Sequence, residues 1–194
     1  MKMIPKNIKK IISYLLRNSK LSNINQISRE LKISVGSAFK ILKELEEAKI
    51  ILQLNLGNAK YYKINFENKE AIKLCELILL KEERDLKGYA KMYADEIKNF
   101  KDADLIILFG SVLENKKFND VDVLFVTNKI KIATEFCLGI SKIRTKPVVG
   151  LIMKKEDLVN ELKKDKQPIL NVIKTGVVLK GEDVFLEVIK NARL

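Results

Sequence analysis

Apolar residues recur at Ile8, Ile11, Ile12, Leu15 and Leu16 with lysines between them, and this spacing of three and four predicts an amphipathic helix ending near Asn18. Ser22 or Asn23 supplies a capping oxygen for a second helix carrying Ile24, Ile27 and Leu31. The short turn Lys32-Ile33-Ser34 leads into a third helix from about Val35 to Ala48, with Ala38, Ile41, Leu42 and Leu45 facing inward. Two short helices joined by a tight turn make a helix-turn-helix. Partial alternation then runs from Ile50 to Leu56 and from Lys60 to Ile64 on either side of Gly57-Asn58, the pattern of a β-hairpin.

From Glu67 to Phe100 there is no proline, and Ile72, Leu74, Cys75, Leu77, Ile78 and Leu79, then Leu86, Tyr89, Tyr93 and Ile97 keep a helical rhythm. One or two helices are predicted there, with Gly88 as a break. The pattern then changes. Leu105 to Phe109 is a continuous apolar run suited to a buried strand and ends at Gly110-Ser111. After eight intervening residues Asp120-Val121-Asp122-Val123-Leu124-Phe125-Val126 reads as a second strand, and Pro147 to Met153 as a third. The resulting expectation is an α/β two-domain chain: residues 1–66, a helical connector over 67–100, and a domain with a small mixed sheet over 101–194.

Charge sharpens this division. The chain has 194 residues and a net charge of +12. Residues 1–66 hold 13 Lys or Arg against 4 acids, a net of +9, while residues 67–194 hold 24 against 21. A basic module joined to a nearly neutral one points to a polyanionic partner for the first. The competing expectation is that the lysines only solvate the surface.

Composition excludes several chemistries. There is no histidine, so histidine-based triads, HExxH metalloprotease sites and Cys2His2 zinc fingers are ruled out. Cys75 and Cys137 lie in apolar stretches and read as core residues rather than a disulfide or metal pair, which fits a cytoplasmic location. The basic start before Tyr14 lacks a small-residue cleavage site. No run approaches the roughly 18 apolar residues of a membrane-spanning helix.

Alternation on the second strand puts Asp120 and Asp122 on one face, about 6 to 7 Å apart along the chain. Two carboxylates so placed can grip magnesium, which neutralises a triphosphate and aligns an attacking hydroxyl. Gly110 permits close approach of backbone to phosphate, and Ser111 offers its amide and hydroxyl at the start of the following helix. An isolated Asp-x-Asp is more often a pair of solvated aspartates. Strand, Gly-Ser, short helix and Asp-x-Asp on a second strand is a more specific combination.

Two resemblances follow. INQISRELKISVGSAFKILKELEEAKIILQLNLGNAKYYKIN, within about residues 5–66, resembles a winged helix-turn-helix domain of the MarR or ArsR kind. That resemblance implies double-stranded DNA as partner, with the third helix in the major groove presenting Ser34, Ser37, Lys40 and Lys43, and Lys60 of the wing on phosphate. Glu44, Glu46 and Glu47 would repel a backbone and confine contact to the helix start. A solvated face used for dimerisation or docking is the alternative. LIILFGSVLENKKFNDVDVLFVTN, with the ending NVIKTGVVLKG, resembles the nucleotidyltransferase superfamily of DNA polymerase beta type, in particular the minimal nucleotidyltransferases of archaea and bacteria, over roughly residues 90–185. It implies Asp120 and Asp122 as catalytic and metal-binding residues, Gly110 and Ser111 as nucleotide-binding residues, and magnesium with a nucleoside triphosphate as ligand or substrate.

The chain departs from that family. Its loop after Gly-Ser is two residues shorter than usual, Leu113 and Glu114 stand in an arginine region, and Asn119 replaces a serine. The third carboxylate is expected on Pro147–Met153, which contains no acid, and Glu156 and Asp157 fall at the next helix start. In this family that carboxylate binds metal and helps activate the nucleophile, and losing a general base costs about 10² to 10⁴ in rate.

The leading expectation is therefore a DNA-binding transcriptional regulator whose second domain has a nucleotidyltransferase fold that binds nucleotide or mediates assembly. The alternative is an active magnesium-dependent, antitoxin-like enzyme moving a nucleoside monophosphate to a protein or small molecule. A pure interaction module is the third. A homodimer through the connector helices and a protein partner belong to the same set of expectations.

Overall fold

A computed structural model describes residues 4–114 and 117–193. The chain divides into two compact units, residues 1–78 and 79–194. The boundary falls inside the predicted connector, within the helix α4, Lys69–Arg84.

The first unit opens with α1, Lys6–Arg17, which buries Ile11, Ile12, Leu15 and Leu16. It continues with the two-residue strand β1, Ser22–Asn23, and α2, Ile24–Leu31. Of the two predicted caps, Asn23 is the one used. Its Oδ1 accepts from the Gln26 N–H at 3.0 Å, while the Asn23 N–H donates to Gln26 Oε1 at 2.9 Å, a reciprocal capping box that satisfies two otherwise orphaned amides. Lys32 in the left-handed region, φ 52°, ends α2 and turns the chain into α3, Val35–Glu47. Ala38, Leu42 and Leu45 are buried and Ile41 is half-buried.

The predicted hairpin is β2, Ile51–Leu56, against β3, Ala59–Ile64, antiparallel with Ile51 opposite Ile64 and Leu56 opposite Ala59. Gly57 supplies the positive φ of the turn, 59°. The sheet has a third member that the sequence pattern does not announce. β1 pairs with β3 through Ser22–Tyr62 and Asn23–Tyr61, giving the order β1-β3-β2. Two residues carry no alternation, so only the pairing itself makes this strand.

The second unit contains α5, Gly88–Ile97; β4, Leu105–Phe109; a four-residue 3-10 turn, Ser111–Glu114; β5, Val121–Val126; α6, Ile130–Ile143; β6, Val148–Met153; α7, Lys155–Lys163; α8, Gln167–Thr175; β7, Val177–Lys180; and α9, Glu182–Ala192. Gly88 is the expected break, and it opens α5.

The sheet order is β6-β5-β4-β7, with β5 and β6 parallel and both other pairs antiparallel. It is the predicted small mixed sheet: the antiparallel strands β4 and β5 follow one another without an intervening α-helix, whereas β5 reaches its parallel neighbour through the helix α6. One sheet face packs Ile106, Leu108, Val123 and Phe125 against Tyr93, Ile97, Ala133 and Cys137. Phe100 sits edge-on to Phe125 with centroids 5.5 Å apart. Cys75 and Cys137 are both buried thiols. Among the described residues no helix is long and apolar enough to cross a membrane.

Candidate functional site

In the first unit α3 stands on the Ser34 cap, whose Oγ accepts the Ser37 N–H at 3.2 Å. The cap occupies one acceptor site of Ser34, and Ser37 is half-buried. Lys40 and Lys43 are exposed on α3, as is Lys60 on β3 opposite Asn55. Lys43 reaches Glu47 at 3.8 Å, both side chains about two-thirds exposed. Such a surface pair is worth only about 0.2–1 kcal/mol, so it yields readily to a stronger anion. Glu44 and Glu47 are exposed on the second half of the helix and Glu46 is half-buried; beside Tyr62, Glu46 adds to the burial that raises the phenol pKa.

Two residues absent from the sequence-predicted set stand out. Phe39 is 58 % exposed and Val35 49 % exposed, and with Lys43 they form one i, i+4 row along α3. Spacing does not reveal this. At 100° per residue Phe39 lies only about 60° around the axis from Leu42, close enough to the buried face to be covered by a neighbour. The tertiary packing leaves it uncovered.

In the second unit the predicted Gly110 and Asp122 come together. Phe109 and Asp122 are cross-strand partners, and Gly110 follows in the left-handed region at φ 83°. A Cβ at Gly110 would strike Asp122 Oδ2, well inside van der Waals contact. Glycine is required there twice, for the backbone and for room beside the carboxylate. Asp120 immediately precedes β5 and is half-buried, like Asp122 and Ser111. Burial raises the Asp122 pKa, and the neighbouring Asp120 charge raises it further.

The helix expected after Ser111 is a single 3-10 turn. A turn this short carries little aligned backbone dipole, so Ser111 has only its own amide and hydroxyl to offer a phosphate. Parallel pairing sets Val149 beside Asp122 and Leu151 beside Leu124, so apolar side chains neighbour the strand carrying the aspartates. Glu156 and Asp157 are exposed in the first turn of α7. Among the described residues no group of three or more His, Cys, Asp or Glu side chains is placed to hold a metal ion.

A cavity of about 540 Å³ in this unit is bordered by Tyr89, Val112, Phe118, Asn119 and Lys146; Val112 and Asn119 adjoin Ser111 and Asp120 in the chain, although none of Gly110, Ser111, Asp120 and Asp122 lines it. Val112, Lys117, Phe118 and Asn119 of its lining lie in the chain between Gly110-Ser111 and Asp120. Its walls come from the start of α5, the 3-10 turn through Val112, residues 117–119 and residues 145–146.

A raised carboxyl pKa makes ionisation of Asp122 unfavourable to the folded state. The folded chain binds that proton more tightly than the unfolded chain, so stability falls as pH rises from the unfolded pKa through the folded one. Asp122→Asn is accordingly expected to raise the melting temperature at pH 7, and to lose that advantage at pH 3, where the natural side chain is itself neutral. Thermal unfolding at both pH values checks this; an Asn variant less stable at pH 7 would refute it.

Neither the curated proteins nor the solved structures include a match to the chain. Residues 4–51, from the lead-in to α1 through the first residue of β2, match the family model described as winged helix-turn-helix DNA-binding, and with the paired strands β2 and β3 behind α3 the first unit is a winged helix-turn-helix domain.

Proposed function

We propose that the chain is a DNA-binding regulator that docks α3 in the major groove of duplex DNA. The observation that carries this reading is the exposed start of α3, with Lys40 and Lys43, in a winged helix-turn-helix of net charge +9. Lysines on phosphate supply affinity that is independent of sequence and weakens with salt. Lys60 serves the same end from the wing, and Ser34 and Ser37 stand at the helix start that meets the base edges. Titration of a duplex with the full chain over a salt series tests the reading. Absent binding, or binding indifferent to salt, would overturn it.

A second reading concerns the other unit, where Asp122 overlies Gly110 and shares its electrostatic field with Asp120. We assign this unit to nucleotide binding: Asp120 and Asp122 would hold magnesium on a triphosphate, which would supply charge neutralisation there, and Gly110 and Ser111 would lie along the phosphates. Two carboxylates suit binding better than turnover, because Val149 and Leu151 occupy the neighbouring strand. Equilibrium dialysis with ATP and magnesium is expected to show binding that Asp120→Ala/Asp122→Ala abolishes. ATP retained by that variant would move the ligand to the cavity beside Lys117 and Lys146 and refute the assignment.

A further inference from the structure

We infer that Phe39 and Val35 read thymine, packing their side chains against C5-methyl groups in the major groove and so determining the sequence preference of the first unit. The inference rests on the DNA-binding reading and adds to it what the helix recognises.

The polar equipment of α3 is poor for reading bases. Ser34 Oγ is engaged by the Ser37 amide and Ser37 is half-buried. Lys40 and Lys43 are long, mobile point charges better suited to phosphate than to a bidentate base contact. Asn, Gln and Arg, which make the specific bidentate contacts to adenine and guanine, do not occur between Val35 and Glu47.

What α3 does offer is apolar. The unit buries Leu42 and Leu45 of α3 and half-buries Ile41, yet leaves Phe39 58 % and Val35 49 % exposed. An isolated exposed apolar residue is ordinary. Here two lie in one i, i+4 row that ends on Lys43, with Lys40 next to Phe39 in the chain. That charge setting selects a polyanion as the surface covering the row. Gly36, next to Val35 in the chain, has nothing within 4 Å of a built Cβ, so the start of the helix can come close to a partner. The apolar feature that base edges present in the major groove is the thymine methyl. Val35 and Phe39 are about 6 Å apart along the helix axis, close to two base-pair steps of about 3.4 Å. The thymines read should lie within two steps of one another.

The experiment selects duplexes from a random pool with the full chain, then replaces each thymine of the selected duplex by uracil, which keeps every hydrogen-bonding group and removes only the methyl. At one or two thymines the natural chain is expected to bind about fourfold more weakly per methyl lost, the equivalent of about 0.8 kcal/mol per buried methyl-sized group. Phe39→Ala should weaken binding to the thymine duplex roughly tenfold and no longer distinguish uracil at that position. Phe39→Leu, which keeps an apolar contact, should retain part of the distinction, and circular dichroism confirms that both variants are folded. Uracil tolerated at every position by the natural chain, or an equal penalty in Phe39→Ala, would overturn the inference while salt-dependent duplex binding persisted. Failure to retain any duplex would overturn the DNA-binding reading itself.

Discussion

Gly181→Ala is expected to destabilise the second unit by about 4 kcal/mol, a sum of left-handed backbone strain and overpacking. Gly181 joins β7 to α9 at φ 82°. Its carbonyl accepts the Phe185 N–H at 2.8 Å, opening the helix. A Cβ there would collide with the Asp104 carbonyl oxygen and stand 3.0 Å from Leu105 Cα. Both belong to the main chain at the start of a central strand, so no side-chain rotation relieves the clash. The loss should appear in the hydrogen exchange of β4 and β7 amides such as Leu108 and Val178, and as a fall in Tm of roughly 15 °C. Gly139→Ala in α6 is the matched control. Nothing lies within 4 Å of its built Cβ, and alanine inside a helix is worth about 0.5–1 kcal/mol over glycine. A Gly181→Ala loss below about 1 kcal/mol would show that β4 can yield and would contradict the packing described.

The triple variant Lys40→Ala/Lys43→Ala/Lys60→Ala should flatten the salt dependence of duplex binding. Each phosphate neutralised contributes about 0.9 to the slope of log K against log salt, so three lost contacts reduce it by about 2.7. That contribution vanishes near 1 M salt, and the affinity deficit at 0.1 M is therefore roughly 500-fold. All three lysines are exposed, and the hydrophobic faces of α3 and β3 do not depend on them, so the folded state should persist. An unchanged slope would remove α3 and the wing from the phosphate contact and place the polyanion on another face.

Much of the first unit is legible in one dimension because its causes are local. The three-and-four spacing of Ile8 to Leu16 needs only a helical repeat to make an apolar stripe, and the Asn23–Gln26 capping box closes within four residues. Gly57-Asn58 turns a hairpin from its own backbone preference. In the second unit the apolar run Leu105–Phe109 announces a buried strand, since a strand covered on both faces has no polar alternation to hide it; Pro147–Met153 announces a strand as well, although β6 lies at the sheet edge with Val149 and Leu151 exposed. β1 is illegible for the opposite reason: Ser22 and Asn23 are a strand only because β3 lies alongside.

The candidate sites divide along the same line. Asp120, Asp122, Gly110 and Ser111 stand out by residue type and spacing. That Asp122 lies over Gly110, that Val149 stands beside it, and that Gly-Ser leads into one 3-10 turn depend on strand register and loop geometry. Likewise Lys40 and Lys43 are visible as charge on a predicted helix, whereas Phe39 could have packed inward or outward.

Residue order alone settled the three helices and the hairpin of the first unit, the strands β4, β5 and β6, the concentration of charge in the first third and the absence of imidazole chemistry, because periodicity, turn chemistry and ionisation are properties of neighbouring residues. The folded chain decided which apolar side chains remain uncovered, which carboxylate is buried against which glycine, and that one strand is made of two residues. Those outcomes are set by segments far apart in the chain meeting in space, where exclusion of water and steric overlap act on whatever the fold brings together.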